Sequence, residues 1–190
     1  MKLKNINVAI LVADGFEQVE LVEPKKALEQ ACATTKIVSP AAEEVQGWNH
    51  FEKADKFPVD VPLEKANADD FDALLLPGGV ANPDQLRGLP KAVEFVKKFA
   101  SQGKPIAAIC HGLWTLIEAE AVRGRKVTSW PTLKTDLKNA GANWVDQEVV
   151  VDQGLVTSRK PADIPAFNEK MIEEFAAGRR ENAERPEVRS

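Results

Sequence analysis

The stretch Ile106-Ala107-Ala108-Ile109-Cys110-His111-Gly112 decides the fold. Four small or branched apolar residues read as a buried strand. The cysteine and histidine stand where that strand must end, and the glycine opens a helix. A sharp strand-to-helix turn of this kind lifts one side chain above the sheet edge and points it at the positive end of the helix. It also leaves backbone N–H groups free to hold an oxyanion. A thiol placed there is expected to be exposed and acidic. The opposing reading is that Cys110 is a small buried hydrophobe, as free cysteines usually are.

Working outward, residues 8–12, 36–38 and 73–76 form further short, β-rich apolar runs bounded by Gly, Pro or Asp. The segments between several of them carry helical spacing, and strands alternating with helices imply an α/β protein with a mostly parallel sheet. The helical pattern is clearest over residues 90–100, where Ala92, Phe95, Val96 and Phe99 share a face and Gly103 and Pro105 stop the run. A late helix starts near Pro161, buries Ile164, Phe167, Met171, Ile172 and Phe175, and stops at Gly178. Residues 149–151 and 155–157, split by Asp152-Gln153-Gly154, read as a hairpin or two strands around a tight turn. Pro24 is expected to kink or restart the helix that follows Gln18. Residues 46–61 mix Trp48, Phe51 and Phe57 with charges, which predicts an excursion outside the main sheet whose aromatics cover an edge or a partner. Residues 1–178 are expected to form a single domain, and 179–190 a charged, fraying tail.

The chain has 190 residues, of which 44% are hydrophobic and 28% charged, enough to bury a core without metal or disulfide staples. A net charge of −4 argues against the basic face that nucleic acids require. Neither a signal peptide nor a membrane span is evident, so a cytoplasmic location is expected, with no membrane partner. Two cysteines cannot make a disulfide framework, and each is read as a free thiol.

A cysteine nucleophile needs help to become a thiolate. With two histidines in the chain, the base is His111 or His50. His111 adjoins the thiol, but sequence neighbours usually diverge in direction, whereas His50 sits in a polar loop and reads as a surface residue. Asp14-Gly15-Phe16-Glu17 and Pro77-Gly78-Gly79 each follow a predicted strand, at the sheet end where open α/β folds place ligands. Three strand ends thus converge, one with the carboxylate of Glu17, one with the flexible amides of Gly78 and Gly79, and one with a thiol. Glu17 reads equally as a helix N-terminal surface acid. No metal-ligand spacing, dinucleotide fingerprint or phosphate loop occurs, so no metal and no cofactor is expected. Cys32 is expected to be packed and inert.

Residues 8–17, Leu76-Pro77-Gly78-Gly79, residues 107–112, Thr128-Ser129-Trp130-Pro131 and Val156-Thr157-Ser158-Arg159 resemble, in order, the motifs of the PfpI family. That family lies in the class I glutamine amidotransferase-like superfamily, and the resemblance spans nearly all of residues 7–177. It implies a flavodoxin-like three-layer sandwich, with Cys110 as nucleophile and Glu17 hydrogen-bonded to its sulfur. It places the oxyanion hole at the amides near Gly79 and at His111. It further implies a homo-oligomer, dimer or larger, in which a carboxylate after the Pro-Gly-Gly loop reaches His111 of a neighbour. Asp84 maps best onto that carboxylate, though it is one methylene shorter than the usual Glu. Trp130 stands at the pocket rim where Tyr is common. The implied function is a stress-protective, cysteine-dependent hydrolase acting on small reactive carbonyls or glycated proteins. The alternatives are an intracellular cysteine peptidase and a non-enzymatic redox sensor in which Cys110 becomes a sulfinic acid.

Overall fold

The computed structural model describes residues 2–178, and the predicted tail 179–190 lies outside the described residues. The strands are β1 (Asn7–Leu11), β2 (Phe16–Glu17), β3 (Thr34–Ser39), β4 (Glu44–Asn49), β5 (Glu52–Pro58) and β6 (Val61–Pro62). They continue with β7 (Ala73–Leu76), β8 (Ile106–Ile109), β9 (Lys126–Val127), β10 (Asn143–Trp144), β11 (Val149–Asp152) and β12 (Leu155–Ser158). The helices are α1 (Gln18–Gln30), α2 (Ala81–Arg87), α3 (Pro90–Ser101), α4 (Leu113–Glu118), α5 (Lys134–Asn139) and α6 (Ile164–Ala177).

The central sheet runs β11-β12-β8-β7-β1-β3-β6, and β11 alone is antiparallel to its neighbour. The five long parallel strands follow the flavodoxin order, which puts a topological switch point between β1 and β7. Both sheet faces are covered, so these strands are apolar on both sides rather than alternating. Ala9, Leu11, Leu74, Leu76, Ile106 and Ala108 pack against Leu86, Phe95, Phe99, Leu116 and Leu137 of α2–α5. Val8, Ile10, Leu75, Ala107, Ile109 and Val156 pack on the other side against Leu21, Leu28, Phe167, Met171 and Phe175 of α1 and α6. This is the three-layer sandwich implied by the family resemblance. Among the described residues no helix is long and apolar enough to cross a membrane.

Three local expectations change. Helix α1 runs unbroken through Pro24, which is buried within it. Cys32 is exposed rather than packed, because it occupies the left-handed position (φ 74°) just past the end of α1. Of the excursion expected over residues 46–61, Val61 joins the main sheet as β6 beside β3, whereas residues 46–58 lie outside it, in a β4–β5 hairpin joined to β2. Its aromatics are not one open patch: Phe57 packs on Phe16 at 5.7 Å, Trp48 is half-buried, and Phe51 at the turn is 93% exposed.

Phe167 is fully buried on α6. Phe167→Ala should lower unfolding free energy by about 3–5 kcal/mol. Glu173→Ala on the exposed side of the same helix should stay within about 0.5 kcal/mol. Urea denaturation of the two variants checks the difference.

Candidate active site

Three chain turns meet at the carboxyl end of the sheet. The chain leaves β1 through Asp14-Gly15 into β2, leaves β7 through Pro77-Gly78-Gly79, and leaves β8 through a tight 3-10 turn, Cys110–Gly112. Cys110 has φ 62°, a left-handed conformation that a non-glycine residue holds at a cost of about 1–3 kcal/mol. The surroundings enforce it. The Trp130 N–H donates to the Cys110 carbonyl at 3.3 Å. A Cβ on Gly112 would lie 2.5 Å from the Leu76 carbonyl oxygen, so only glycine lets the elbow sit on the end of β7. Gly78 is equally constrained. A Cβ there would meet Glu20 Oε2 at 2.6 Å and Cys110 Cβ at 2.7 Å.

The acid beside the thiol is therefore Glu20, and the sequence-based placement of Glu17 on the sulfur is corrected. Glu17 closes β2 and turns toward the hairpin, where its Oε2 accepts the His50 N–H at 3.1 Å; His50 Nδ1 is 3.8 Å away. Glu20, one turn into α1, is fully buried, and its Oε2 accepts the Gly78 N–H at 2.8 Å. Its Oε1 is buried with no hydrogen-bond partner, and the Cys110 side chain lies beside the carboxyl.

Around Sγ the backbone N–H groups of His111 and Gly79 both donate to the sulfur. The His111 ring turns toward the thiol rather than away from it, with Nδ1 3.2 Å from Sγ. The left-handed φ of Cys110 brings the two adjacent side chains together, against the usual divergence of sequence neighbours. Trp130 stacks on the same ring, centroids 5.8 Å apart at 26°. Asp84 stands exposed in the first turn of α2 and makes no hydrogen bond to His111 within the chain.

The electrostatics differ from the expected acidic, open thiol. Cys110 is only 6% exposed. Burial, and then the negative charge of Glu20, push the thiol up, against the pull of the His111 and Gly79 amides. The helix that follows is too short to counter this, since α4 has six residues. Burial likewise lifts Glu20 to about 8, with the charge of Glu17 adding to the rise and the Gly78 N–H opposing it. Burial lowers His111, so its imidazole is neutral at pH 7. The resting arrangement is a protonated Glu20 and a thiol whose proton faces a neutral Nδ1. A hollow of about 380 Å³ between Asp14, Glu43, Glu44, Gln46 and Lys56 opens beside the hairpin and does not include Cys110.

Glu20 was legible as one signal that went unread: a carboxylate inside the buried stripe Leu21, Pro24 and Leu28 of α1. Lys, Glu, Arg and Asp are almost never fully buried without a partner.

A flavodoxin-like sheet bearing a strained cysteine at a strand-to-helix elbow, faced by glycine amides and a buried carboxyl, defines a class of cysteine-centred α/β proteins. The chain belongs to the DJ-1/PfpI family, whose sequence profile matches residues 6–174. It is 44% identical over 167 residues to a deglycase of Pyrococcus abyssi (strain GE5 / Orsay), covering 88% of this chain and 98% of that one. A Bacillus subtilis (strain 168) protein named, provisionally, as a cysteine protease is 42% identical over 166 residues, 87% of this chain and 95% of the other. Among solved structures, Drosophila melanogaster DJ-1beta matches with a TM-score of 0.81 at 27% identity, covering 90% of each chain.

Glu20 also makes stability depend on pH. Unfolded, the carboxyl ionises near 4.5, and folded it keeps its proton to about 8. Between those values the folded state binds more protons, so stability falls as pH rises through the window and levels off above it. Glu20→Gln removes the titrating group while its amide oxygen still accepts from the Gly78 N–H. At pH 8.5 this variant should be more stable than the parent by about 2–4 kcal/mol, and nearly equal to it at pH 4.5. Urea midpoints measured across pH check this, and parallel curves for the two proteins contradict it.

Proposed function

We propose that this chain is a cysteine-dependent hydrolase of the deglycase type, acting on reactive carbonyl compounds or early glycation adducts in stress protection. The observation that carries the reading is the set of groups converging on Cys110 Sγ: the Gly79 and His111 amides, Nδ1 of His111 and the Glu20 carboxyl. Each has a role in addition to a carbonyl. As sulfur attacks the carbonyl carbon, its proton passes to Nδ1 of His111. The new oxyanion accepts from the two amides and takes the Glu20 proton, giving a hemithioacetal. The proton on His111 then restores Glu20. With a 2-oxoaldehyde, Glu20 and His111 take the proton from the hemithioacetal carbon and protonate the adjacent carbonyl oxygen, giving an enediol; loss of the proton from the first hydroxyl and protonation of the second carbon then leave the thioester of a 2-hydroxy acid. Water cleaves that thioester to a 2-hydroxy acid and the free thiol. The scheme needs no cofactor.

A raised thiol fits this use. The site generates its thiolate only as a substrate arrives, so the nucleophile does not react indiscriminately with electrophiles while idle. A cytoplasmic location belongs to the same proposal, because two unpaired cysteines suit a reducing compartment. So does self-association, for which the 93% exposed Phe51 at the hairpin turn is the plainest sticking point. Asp84 would then serve His111 only across a contact between copies.

The contact between Sγ and Nδ1 also favours a peptidase reading, since a cysteine peptidase needs such a pair. The two readings separate in one experiment. Purified protein is given methylglyoxal in one arm and an unfolded protein substrate in the other, alongside Cys110→Ala and Cys32→Ser. We expect 2-hydroxy acid formation that Cys110→Ala abolishes and Cys32→Ser spares, with no peptide release. Release of peptides dependent on Cys110, without carbonyl turnover, would replace the deglycase reading by the peptidase one.

A further inference from the structure

An imidazole that must keep Nδ1 on a thiol is usually steered by a carboxylate on its other nitrogen. Among the described residues no carboxylate makes a hydrogen bond to the His111 ring, and Asp84 is exposed on α2. The ring is instead enclosed by two indoles. Trp130 stacks on it at 26°, and Trp114, on α4, meets it edge-on at 72° with centroids 5.1 Å apart. Trp114 is itself pinned by two partners. Its Nε1–H donates to Asp136 Oδ2 of α5 at 3.2 Å. The Arg87 guanidinium of α2 lies over its ring at 5.4 Å. Arg87 is held in turn by Glu118, whose Oε1 accepts from Nε at 3.1 Å and from Nη2 at 2.8 Å.

We infer that Trp114 is a positioning residue: with Trp130 it clamps the His111 imidazole so that Nδ1 faces Cys110. The inference rests on the Cys110-centred reading of the site. Rings packed edge-to-face and stacked resist rotation, because turning the imidazole about its χ2 axis would lose both contacts. The charges of Arg87, Glu118 and Asp136 lie beyond the indole, and Nδ1 of the imidazole meets Cys110, with Glu20 past the sulfur. The consequence is a fixed tautomer, with the proton on Nε2 and the lone pair on Nδ1.

Because the chain has two histidines, nitrogen-15 spectra of the imidazoles contain their own reference. At pH 8, exposed His50 should show averaged ring-nitrogen shifts, whereas His111 should show two well-separated ones. In Trp114→Leu the His111 shifts should collapse toward the His50 average. Methylglyoxal turnover should fall roughly 10-fold or more through kcat, with KM changed less, as expected when a base is present but misplaced. Trp114→Phe, which keeps an aromatic edge, should restore both. If Trp114→Leu does not fold, Trp130→Leu provides the same readout from the stacked indole. Separated shifts that survive loss of either indole overturn the clamp. Separated shifts that vanish on dilution to monomer overturn it too, and assign the ring to a carboxylate from a second copy. Absence of carbonyl turnover in the parent protein, with shifts that still collapse in Trp114→Leu, sinks the proposed reaction and leaves the clamp standing.

Discussion

The structure depends on a carboxyl that cannot reach water. Glu20 is held between the Gly78 N–H and the Cys110 sulfur, with α1 above it and the ends of β7 and β8 below. A charged carboxylate in that place would face several kcal/mol of desolvation, partly offset by one backbone donor. Keeping the proton is cheaper. The tightness of the pocket follows from this contact. Gly78 has no room for a side chain because Glu20 and Cys110 close over it, and Gly112 has none because the elbow rests on the backbone of β7.

Strain at Cys110 and neutrality at Glu20 are two halves of one arrangement. A cysteine in an ordinary extended conformation would continue β8 and present its side chain to one of the two cores. The left-handed turn lifts it to the end of the sheet and lets the next residue's ring come back to 3.2 Å from the sulfur. Backbone energy lost at that residue is recovered by the packing of Ile109, Leu113 and Leu116 on either side of it, all of them fully buried. Sites held by such over-determined surroundings keep their geometry without relying on flexible side chains.

The fold was legible because its strands are short, apolar on both faces and separated by helical spacing, and because Gly and Pro mark most of their ends. The same logic located the three turns at one end of the sheet. It failed where tertiary packing rather than local pattern decides. Glu17 stands in the conspicuous Asp-Gly-Phe-Glu segment, yet it closes β2 before the helix begins and turns to the hairpin, whereas Glu20, in the first turn of α1, falls on that helix's buried face. Trp114 gave no sequence signal, since an aromatic residue on a short helix reads as core until its neighbours are known. The thiol's state was misjudged for a related reason. The pattern announces a helix N-terminus, but it does not announce that the helix lasts only six residues or that the sulfur lies nine-tenths out of water.

On the proposed reading, these features have a common consequence for charge. At rest the thiol, Glu20 and His111 are all neutral, so the pocket buries no net charge. When sulfur attacks a carbonyl, negative charge passes from sulfur to oxygen, and the amides that faced the sulfur are already oriented for an anion formed one bond away. Their dipoles need no rearrangement at that moment, which is the economy that preorganised donors bring to catalysis. The two protons in play, one leaving sulfur and one reaching oxygen, have separate handlers in His111 and Glu20. The acceptor is neutral because burial lowers it, and the donor is protonated because burial raises it. One physical cause, exclusion of water from the end of the sheet, therefore sets both partners in the protonation state that carbonyl addition requires.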